Sequence, residues 1–390
     1  MIDFDHNATT PVDARVRAAM ADLLARDDLG NPSSRHRRGQ AARDVVEGAR
    51  RQVAAALEAE PLGVTFTSGG TEADNLAILG AARALRAAGR PHGVLTSPLE
   101  HPAVVAAARC LEAEGHPIAW VPVDAQGRIE PGRVGTQVAQ HPEVGLVSLA
   151  AANHELGNAY DIPGIVEAVR EAREGVLVHV DAVQAVGRRP VSLGAWGVDL
   201  LSVSGHKLGG PAGVGALVHT RGLKLAPLRH GGGQERGRRV GTEPWLLIQG
   251  FGLAVALAAS EQPQRFAAMS VLRARLAAGL REQGAQIHGD PEHHTGNTLN
   301  AAFEGCEGEL VMMNLDLAGF AVSTGAACSA GVAGPSPVIE ALGLPPGRAA
   351  GALRLSLGVD TTAADVDGLL AELRTVVPRV REAARHRSAS

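Results

Sequence analysis

The sequence has little lysine, few aromatic residues and almost no net charge. Of its 37 basic residues only Lys207 and Lys224 are lysines, and aromatic residues make up 3% of the 390 positions. A formal charge of −4 gives the chain no electrostatic attraction for nucleic acid or an anionic membrane. Few aromatic side chains are available on which bases could stack. These absences argue against nucleic-acid-binding and membrane-surface proteins. The rarity of lysine also raises the question of why a lysine is present at position 207.

The three cysteines, Cys110, Cys306 and Cys328, lie far apart and form no CxxC pair. A disulfide framework or a cysteine-based zinc site is therefore not expected. The N-terminal MIDFDHNATTP has no basic, apolar signal region, and no run approaches the roughly 20 apolar residues of a membrane span. We predict a protein of a reducing cytoplasm that binds no metal. A dinucleotide-binding dehydrogenase is disfavoured because no GxGxxG opens a helix after a strand.

Short apolar segments alternate with helical patterns between about residues 60 and 220. The predicted strands are 64–68, 93–97, 144–151, 176–182, 200–205 and 215–220, and segments such as 102–115 and 162–174 have helical periodicity. This alternation predicts an α/β fold with a mainly parallel sheet covered by helices on both faces.

The pattern changes after the glycine-rich segment 230–244. A helical region from about 245 to 283 comes before the remaining predicted elements, which are strands at 297–303, 320–325 and 352–358 and helices at 308–319 and 362–384. These elements predict a second, smaller α+β domain. We expect a large domain of residues 16–258 and a small domain built from residues 1–15 and 259–390.

Two polar segments follow predicted strands, at the edge where α/β sheets bind ligands. In TSGGTEADN (67–75), a helix start offers free backbone N–H groups and the Thr71 hydroxyl to a phosphate, although an ordinary capped turn has the same pattern. In VHVDAVQAVG (178–187), Asp181 can keep a heteroaromatic nitrogen protonated and Gln184 can donate to a ring oxygen. The alternative there is a helix-capping aspartate beside a solvated glutamine.

Lys207 lies in SGHKLGGPAGVGAL (204–217), again at a strand end. A lysine amine can form a Schiff base, which arginine does not, while Ser204 and His206 can reach a phosphate. The glycines that follow permit close approach of the backbone. A solvated loop lysine is the alternative, and the scarcity of lysine elsewhere argues against it.

Cys328 is the cysteine whose setting suits a nucleophile, because STGAACSAG (323–331) is a run of small residues typical of an accessible loop. Cys110 lies within a helical pattern and is expected to be a buried apolar residue. Cys306 lies between two acids, which raise the pKa of a thiol. Lys207, Asp181, a phosphate cradle and Cys328 together indicate pyridoxal phosphate and sulfur chemistry.

Seven motifs, in order and with matching spacing, make the chain resemble the cysteine desulfurases, which are class-V aminotransferases of the fold-type I pyridoxal-phosphate enzymes. They are GNPSSRH, TSGGTEADN, EHPAV, VDAVQAVG, SGHKLGGPAGVGAL, GGGQERGRRVGT and STGAACSAG, and the resemblance extends from DHNATTPVD near the N-terminus to LRLSLGVDTTAADVD. One such motif is a weak signal, whereas seven in order are specific. The resemblance implies a fold-type I transferase, with a large cofactor-binding domain and a smaller α+β domain, that works as a homodimer.

The resemblance also implies a role for each site residue. Lys207 would hold pyridoxal 5'-phosphate as a Schiff base, His101 would stack on its ring and move protons, and Cys328 would be the nucleophile. Arg354 would pair with the substrate carboxylate and Asn7 would lie near the substrate. The other cofactor contacts would come from Gly70, Thr71, His154, Asp181, Gln184, Ser204, His206 and, from a neighbouring subunit, Thr242.

The implied reaction removes sulfur from L-cysteine. The Cys328 thiolate attacks the substrate sulfur, L-alanine is released, and Cys328 keeps the sulfur as a persulfide for an acceptor protein. Iron–sulfur cluster assembly or another sulfur-containing product would use it. Because few residues follow the last predicted helix, we expect no long C-terminal tail for docking a scaffold. The acceptor would then be a scaffold bound elsewhere, a tRNA-thiolation protein or a sulfur carrier.

Three positions depart from the family pattern: His154 replaces a common asparagine, Val240 a common serine and Val359 a frequent arginine. They bear on rate and on the preference for cysteine or selenocysteine. Two alternatives stay open: a selenocysteine lyase or other pyridoxal-phosphate lyase or transaminase of a small amino acid, and a non-enzymatic partner protein that binds the cofactor. Cys328 argues against a plain transaminase, and the complete catalytic set argues against an inactive partner.

Overall fold

The computed structural model describes residues 1–324, 336–344 and 349–388. The strands are β1 (Ile2–Asp3), β2 (Val64–Thr67), β3 (Gly93–Thr96), β4 (Ile118–Trp120), β5 (Val144–Ala150), β6 (Leu177–Asp181), β7 (Leu200–Ser204), β8 (Gly215–His219), β9 (Ala285–His288), β10 (Thr298–Phe303), β11 (Phe320–Ala321) and β12 (Ala352–Ser356). The helices are α1 (Ala14–Leu24), α2 (Arg37–Ala56), α3 (Gly70–Ala87), α4 (Pro102–Ala113), α5 (Pro131–Gln140), α6 (Ile162–Ala172), α7 (Leu193–Trp196), α8 (Trp245–Ser260), α9 (Gln262–Glu282), α10 (Gly308–Leu317), α11 (Pro337–Ala341) and α12 (Ala363–Ser388).

Seven strands form the main sheet, in the order β2-β8-β7-β6-β5-β3-β4. Strands β7, β6, β5, β3 and β4 pair in parallel, whereas β8 runs antiparallel to both of its neighbours. Parallel neighbours require crossover connections, and helices α4, α6 and α7 lie on the connections β3–β4, β5–β6 and β6–β7. The predicted mainly parallel sheet is confirmed.

Successive residues of the strands enter different apolar clusters on the two faces of the sheet. Leu146 and Leu200 are buried with side chains of α3 and α4. Their neighbours Val147 and Leu201 belong to a larger cluster that includes side chains of α2, α5, α6 and α8. Because strand side chains alternate between faces, this pattern buries nearly every strand position. The prediction of helices on both faces is confirmed.

All six predicted strands between residues 60 and 220 are present, but the short β4 and β9 were not predicted. Both are short and only partly buried, so they differ from β2 and β3, which are equally short but buried at every position. The predicted strand 320–325 is shorter within its described residues 320–324, where Phe320–Ala321 form the strand. The predicted helical region 245–283 consists of two helices that meet at Glu261, and a proline stands in the first turn of α9.

A second cluster of elements follows residue 260. Strands β12, β10 and β9 form an antiparallel sheet, and β1 at the N-terminus pairs in parallel with β11. Phe4 is buried there together with Phe303, Leu276 and Leu373, so the first residues of the chain pack against the last third. The domain boundaries at residues 15 and 258 stay a prediction. No helix in the described ranges is long and apolar enough to cross a membrane.

Candidate active site

Three neighbouring strands of the main sheet end at one cavity. Ala150, Asp181 and Ser204 are the last residues of β5, β6 and β7, and all three line a cavity of about 400 Å³. The carboxyl ends of parallel strands lie at one edge of the sheet, where the loops that follow can surround a ligand.

Most of the predicted site residues line this cavity together. They are Asn7, Gly70, Thr71, His101, His154, Asp181, Gln184, Ser204, His206, Lys207 and Arg354. Thr242, predicted to act from a neighbouring subunit, is exposed and does not line it. Cys328, the predicted nucleophile, lies outside the described residues. The structure therefore brings together the predicted cofactor and substrate contacts of one chain.

Lys207 ends a single 3-10 turn, Gly205–Lys207, that follows β7 directly. Its Nζ donates hydrogen bonds to the backbone oxygens of Asn7, at 2.6 Å, and Ala8, at 2.8 Å. The N-terminal segment is held there in turn, because Thr10 donates to the His206 oxygen from both its backbone nitrogen and its hydroxyl. The amine of Lys207 is thus fixed at the wall of the cavity.

Asp181 is a buried carboxyl group without a bonded cation among the residues that the structure describes. The backbone N–H of Val183 donates to its Oδ1 at 2.9 Å. Burial raises the pKa of Asp181, and the Val183 hydrogen bond together with the charges of His154 and Lys207 opposes that rise. Such a carboxylate is suited to pair with a cationic group that a ligand brings.

Two further buried acids, Asp74 and Glu100, surround Asp181, and sequence reasoning assigned neither of them. Burial and the charge of Asp181 raise the pKa of both well above the usual range. Asp74 Oδ1 lies 3.7 Å from Nε2 of His179, whose own pKa burial lowers to about 3. Burial therefore favours the neutral form of both partners of that contact. The sequence contains a signal for Asp74 as a site residue, because Asp74 lies three residues after Thr71 and shares its face of α3.

The start of α3 forms a concave turn beside the end of β7. Gly69 has φ +155°, and α3 begins without a side-chain cap. A Cβ on Gly70 would come within 2.7 Å of Cγ2 of Val183 and 3.5 Å of Cβ of Ser204, so a side chain there would fill the turn. Unpaired N–H groups of a helix start and nearby hydroxyls bind phosphate. Thr71, Ser204 and His206 line the same cavity.

Two histidines, His101 and His154, meet edge to face with their ring centroids 5.3 Å apart. His101 caps α4, with its Nδ1 accepting from the backbone N–H of Ala103 at 3.1 Å. Burial is the main reason that the pKa of His101 falls to about 3, with smaller effects of His154, Lys207 and Arg354. His101 is therefore neutral, and because Nδ1 accepts, Nε2 carries the proton.

Arg354 lies in the middle of β12 and lines the same cavity as the residues at the ends of β5, β6 and β7. Its Nη2 donates to Asp5 Oδ1 at 2.8 Å and its Nη1 to the His154 oxygen at 3.3 Å. Its Nε is buried and has no hydrogen-bond partner among the residues that the structure describes. Asn7 Nδ2 donates to the same His154 oxygen at 3.1 Å. The guanidinium is fixed, yet it retains donors for an incoming carboxylate.

The two cysteines that the structure describes differ from expectation in their burial. Cys110 was predicted to be buried, but it is exposed on α4, and desolvation and the hydrogen bond of its thiol to Glu114 raise its pKa. Cys306 is buried, and burial rather than the neighbouring acids raises its pKa. Neither thiol lines the cavity. Neither is therefore suited to act as a thiolate nucleophile there.

The positions that depart from the family pattern lie in different places. His154 lines the cavity and contacts His101. Val240 is half-buried in the loop before α8, and Val359 is exposed beyond β12. Of the three, His154 alone is placed to touch a ligand in this cavity.

Comparison with known proteins places this geometry in a family. Residues 2–369 match the family described as "Aminotransferase class-V". The chain belongs to the class-V aminotransferase family. It is 41% identical to an "IscS-like cysteine desulfurase" of Mycobacterium tuberculosis over 98% of each chain, and 40% identical to the "Cysteine desulfurase IscS" of Photobacterium profundum over 98% of this chain and 94% of that one. A solved structure titled "NIFS-LIKE PROTEIN" superposes with a TM-score of 0.90 at 35% identity, covering 97% of this chain and 99% of the other.

Class-V aminotransferases depend on pyridoxal phosphate in general, and the cavity of this member fits that group. Asp181 is a buried carboxyl group for a pyridinium nitrogen. The turn that a Cβ on Gly70 would fill suits a phosphate, and the amine of Lys207 lies on the same cavity. The donor set therefore matches the cofactor at its ring, its phosphate and its aldehyde.

Proposed function

We propose that this chain is a pyridoxal-phosphate-dependent cysteine desulfurase that passes the sulfur of L-cysteine to an acceptor protein. The observation that carries the proposal is the single cavity at the ends of β5, β6 and β7. It unites the Lys207 amine, the buried Asp181 and the glycine turn before α3. The relatives named cysteine desulfurase match over nearly the whole chain, which supports the same substrate.

Lys207, Asp181 and the turn at Gly70 would hold the cofactor, with Thr71, Ser204 and His206 at its phosphate. When bound, pyridoxal phosphate supplies an electron-accepting ring that stabilises negative charge on the carbon beside the substrate amine. His206 is half-buried, and burial and the Lys207 charge lower its pKa to about 4. At neutral pH it would therefore act on the phosphate as a hydrogen-bonding group and not as a cation.

His101 and Arg354 would act on the substrate. The neutral His101 ring carries its proton on Nε2 and so can donate it to the substrate or receive it back. Arg354 would pair with the substrate carboxylate, because its buried Nε has no partner within the described ranges and its two Nη atoms are already oriented by Asp5 and His154. These contacts fix the substrate between the main sheet and β12.

Cys328 would take the sulfur. Its thiolate attacks the substrate sulfur, the bond between carbon and sulfur breaks, and the electron pair of that bond leaves with the three-carbon product. Protonation of that product gives L-alanine, and Cys328 carries the persulfide. Cys110 is exposed on α4 and Cys306 is buried, so neither described thiol competes for this role.

We further propose a homodimer in the cytoplasm, in which a second copy supplies Thr242 to the phosphate. Support for the dimer is that Thr242 is exposed in a single chain and follows the glycine-rich segment 230–241 that the family motif contains. Light scattering of the purified protein tests the dimer, and a monomeric active enzyme would remove Thr242 from the site. The acceptor of the sulfur is proposed only as a protein with an accessible thiol or cluster site.

The deciding experiment measures alanine and sulfide released from L-cysteine with a reductant, for the wild type, Cys328→Ala and the matched control Cys110→Ala. We expect the wild type and Cys110→Ala to release both products and Cys328→Ala to release neither, although it keeps the coloured cofactor. Alanine formation by Cys328→Ala at the wild-type rate would assign the nucleophile elsewhere. A coloured wild type that is inactive on cysteine but active on selenocysteine would favour the selenocysteine lyase.

A further inference from the structure

The side-chain amide of Gln184 is held between two groups that fix its orientation. Arg188 Nη1 donates to Gln184 Oε1 and, at 3.0 Å, to the Gln184 backbone oxygen. Gln184 Nε2 donates to the backbone oxygen of Asn7 at 3.1 Å. A guanidinium can only donate and a carbonyl oxygen can only accept. The amide oxygen must therefore face Arg188 and the amide NH2 must face Asn7.

The NH2 group of Gln184 lies on the Lys207 side of the amide. Asn7 O accepts from Lys207 Nζ at 2.6 Å as well as from Gln184 Nε2. Gln184 lines the cavity of about 400 Å³ described above. Arg188 lines a second cavity of about 420 Å³, which His6 also lines. Arg188 thus contacts the residue that faces the first cavity, and its effect on that cavity passes through Gln184.

Arg188 is a buried cation, 6% exposed, with no carboxylate bonded to it in the part of the chain that the structure describes. Gln262 Nε2 donates to its backbone oxygen at 3.0 Å and holds its main chain in place. Burial and the charge of Arg354 lower its pKa to about 10, which leaves it charged at pH 7. Burying a charge against a neutral amide is costly. A residue needed only for packing would not have to carry that charge.

We propose that Arg188 is a positioning residue that holds the Gln184 amide with its NH2 group, and not its oxygen, toward the ring oxygen of the cofactor. This inference rests on the proposed function, because the ring oxygen belongs to pyridoxal phosphate. A donor at that place stabilises the ionised ring oxygen, whereas a flipped amide would present a second oxygen to it. The state of the ring oxygen determines how the visible absorption of the bound cofactor changes with pH.

The test is a double-mutant cycle on the purified holoenzyme, made of the wild type, Arg188→Met, Gln184→Met and the double variant. The quantity measured is the pH midpoint of the cofactor's visible absorption change. We expect Arg188→Met to raise the midpoint by about one pH unit, which corresponds to one ordinary hydrogen bond. In the Gln184→Met background the same change should have almost no effect, because the amide through which Arg188 acts is gone.

The control variant is Arg189→Met, since Arg189 is the adjacent arginine and stacks on Phe266 with its guanidinium carbon 5.2 Å from the ring centroid. Its midpoint should equal that of the wild type. Arg188→Lys keeps a charged donor and should restore most of the wild-type midpoint. An equal shift with and without Gln184 would mean that the Arg188 charge acts directly on the cofactor. That result, or no shift at all, would overturn the proposal.

The same four proteins without cofactor separate this inference from the proposed function. The changes in melting temperature of Arg188→Met and Gln184→Met should not add up in the double variant, because one hydrogen-bonded pair is lost only once. Additive changes would show that the two side chains do not interact and would overturn the positioning role. If Arg188→Met does not fold, Arg188→Gln takes its place in both cycles with the same expected signs. A wild type that binds no pyridoxal phosphate would defeat the proposed function, whereas the cofactor-free cycle would still measure the pair.

Discussion

Buried charges are arranged differently in two regions of this molecule. Beside β2, Arg50 is matched on every side: its two Nη atoms bond to Glu235 at 2.6 and 2.9 Å, Nη1 also bonds to the Val64 oxygen, and Nε bonds to Glu47. Glu235 is matched as well, because it accepts the backbone N–H of Phe66. Around the cavity, by contrast, Asp74, Glu100 and Asp181 are buried without a bonded cation in the described ranges.

The charges of the Arg50 cluster stabilise the fold, whereas the acids around the cavity are placed to bind a cationic group of a ligand. In the cluster of Arg50, Glu47 and Glu235, desolvation is compensated within the chain itself. At the cavity the compensation is incomplete, and the charge of Asp181 together with burial raises the pKa of Asp74 and of Glu100. A cationic ring nitrogen at Asp181 would supply what the chain lacks. Substitutions in the Arg50 cluster and around the cavity test this difference.

The largest effect is expected at Lys207, because it is the one amine on the cavity. Lys207→Ala should lose the visible absorption of the bound cofactor and reduce turnover of L-cysteine by at least about 10⁴-fold. Lys224→Ala is the matched control, since Lys224 is the other lysine of the chain and is exposed. Absorption spectra and alanine release report both quantities. A Lys207→Ala enzyme with wild-type colour and turnover would contradict the assignment.

The next effect concerns stability, in the cluster where every charge is matched. Arg50→Met should leave the Glu235 carboxylate buried without the cation that neutralises it and lower the free energy of unfolding by about 3–5 kcal/mol. The double variant Arg50→Met with Glu235→Gln should recover most of that loss, because the glutamine oxygen still accepts from Phe66 N and no charge stays buried. Urea denaturation of the cofactor-free protein measures both. Equal losses in the single and double variants would mean that the charge itself is unimportant.

The sequence predicted the catalytic edge of the sheet well because its signals are local. Asp181, Ser204 and Lys207 each follow an apolar run directly, and the end of such a run marks the edge where ligands bind. The same holds for Gly70 and Thr71 at the start of α3. Their convergence on one cavity follows from parallel strand order, which alternating strands and helices already imply.

Which side chains are buried depends on residues far away in the sequence, and the sequence predicted burial less well than it predicted the strand ends. Cys110 was predicted to be buried, yet α4 is rich in alanine on several sides, so the pattern did not indicate which side faces the core. In GRRP, Arg188 is buried and Arg189 is half-exposed, although the two are adjacent and chemically identical. Asp74 and Glu100 resemble ordinary polar residues of a helix start and a turn. Their burial depends on the assembled main sheet, in which Asp181 ends β6. No local sequence pattern shows how that sheet is assembled.

The smallest effect, and the sharpest probe of the unmatched acids, is a pH dependence at Glu100. Burial, and then the charge of Asp181, raise its pKa in the folded protein well above the usual range, and the nearby backbone of Ala150 offsets this only in part. Folding therefore retains a proton on Glu100. The stability from this group is complete below the unfolded pKa of about 4.3 and is lost as pH rises toward the folded pKa.

Glu100→Gln removes this titration and keeps the shape of the side chain. The melting temperature of Glu100→Gln relative to the wild type should therefore increase steadily from pH 5 to pH 8, measured without cofactor. Glu114→Gln is the control, because Glu114 is exposed and its bond to Arg83 lowers its pKa. The difference in melting temperature between Glu114→Gln and the wild type should therefore not change with pH above pH 5. A flat difference for Glu100→Gln as well would show that this acid is ionised in the fold. The cavity would then need a second cation beside Asp181, and the contrast with the Arg50 cluster would disappear.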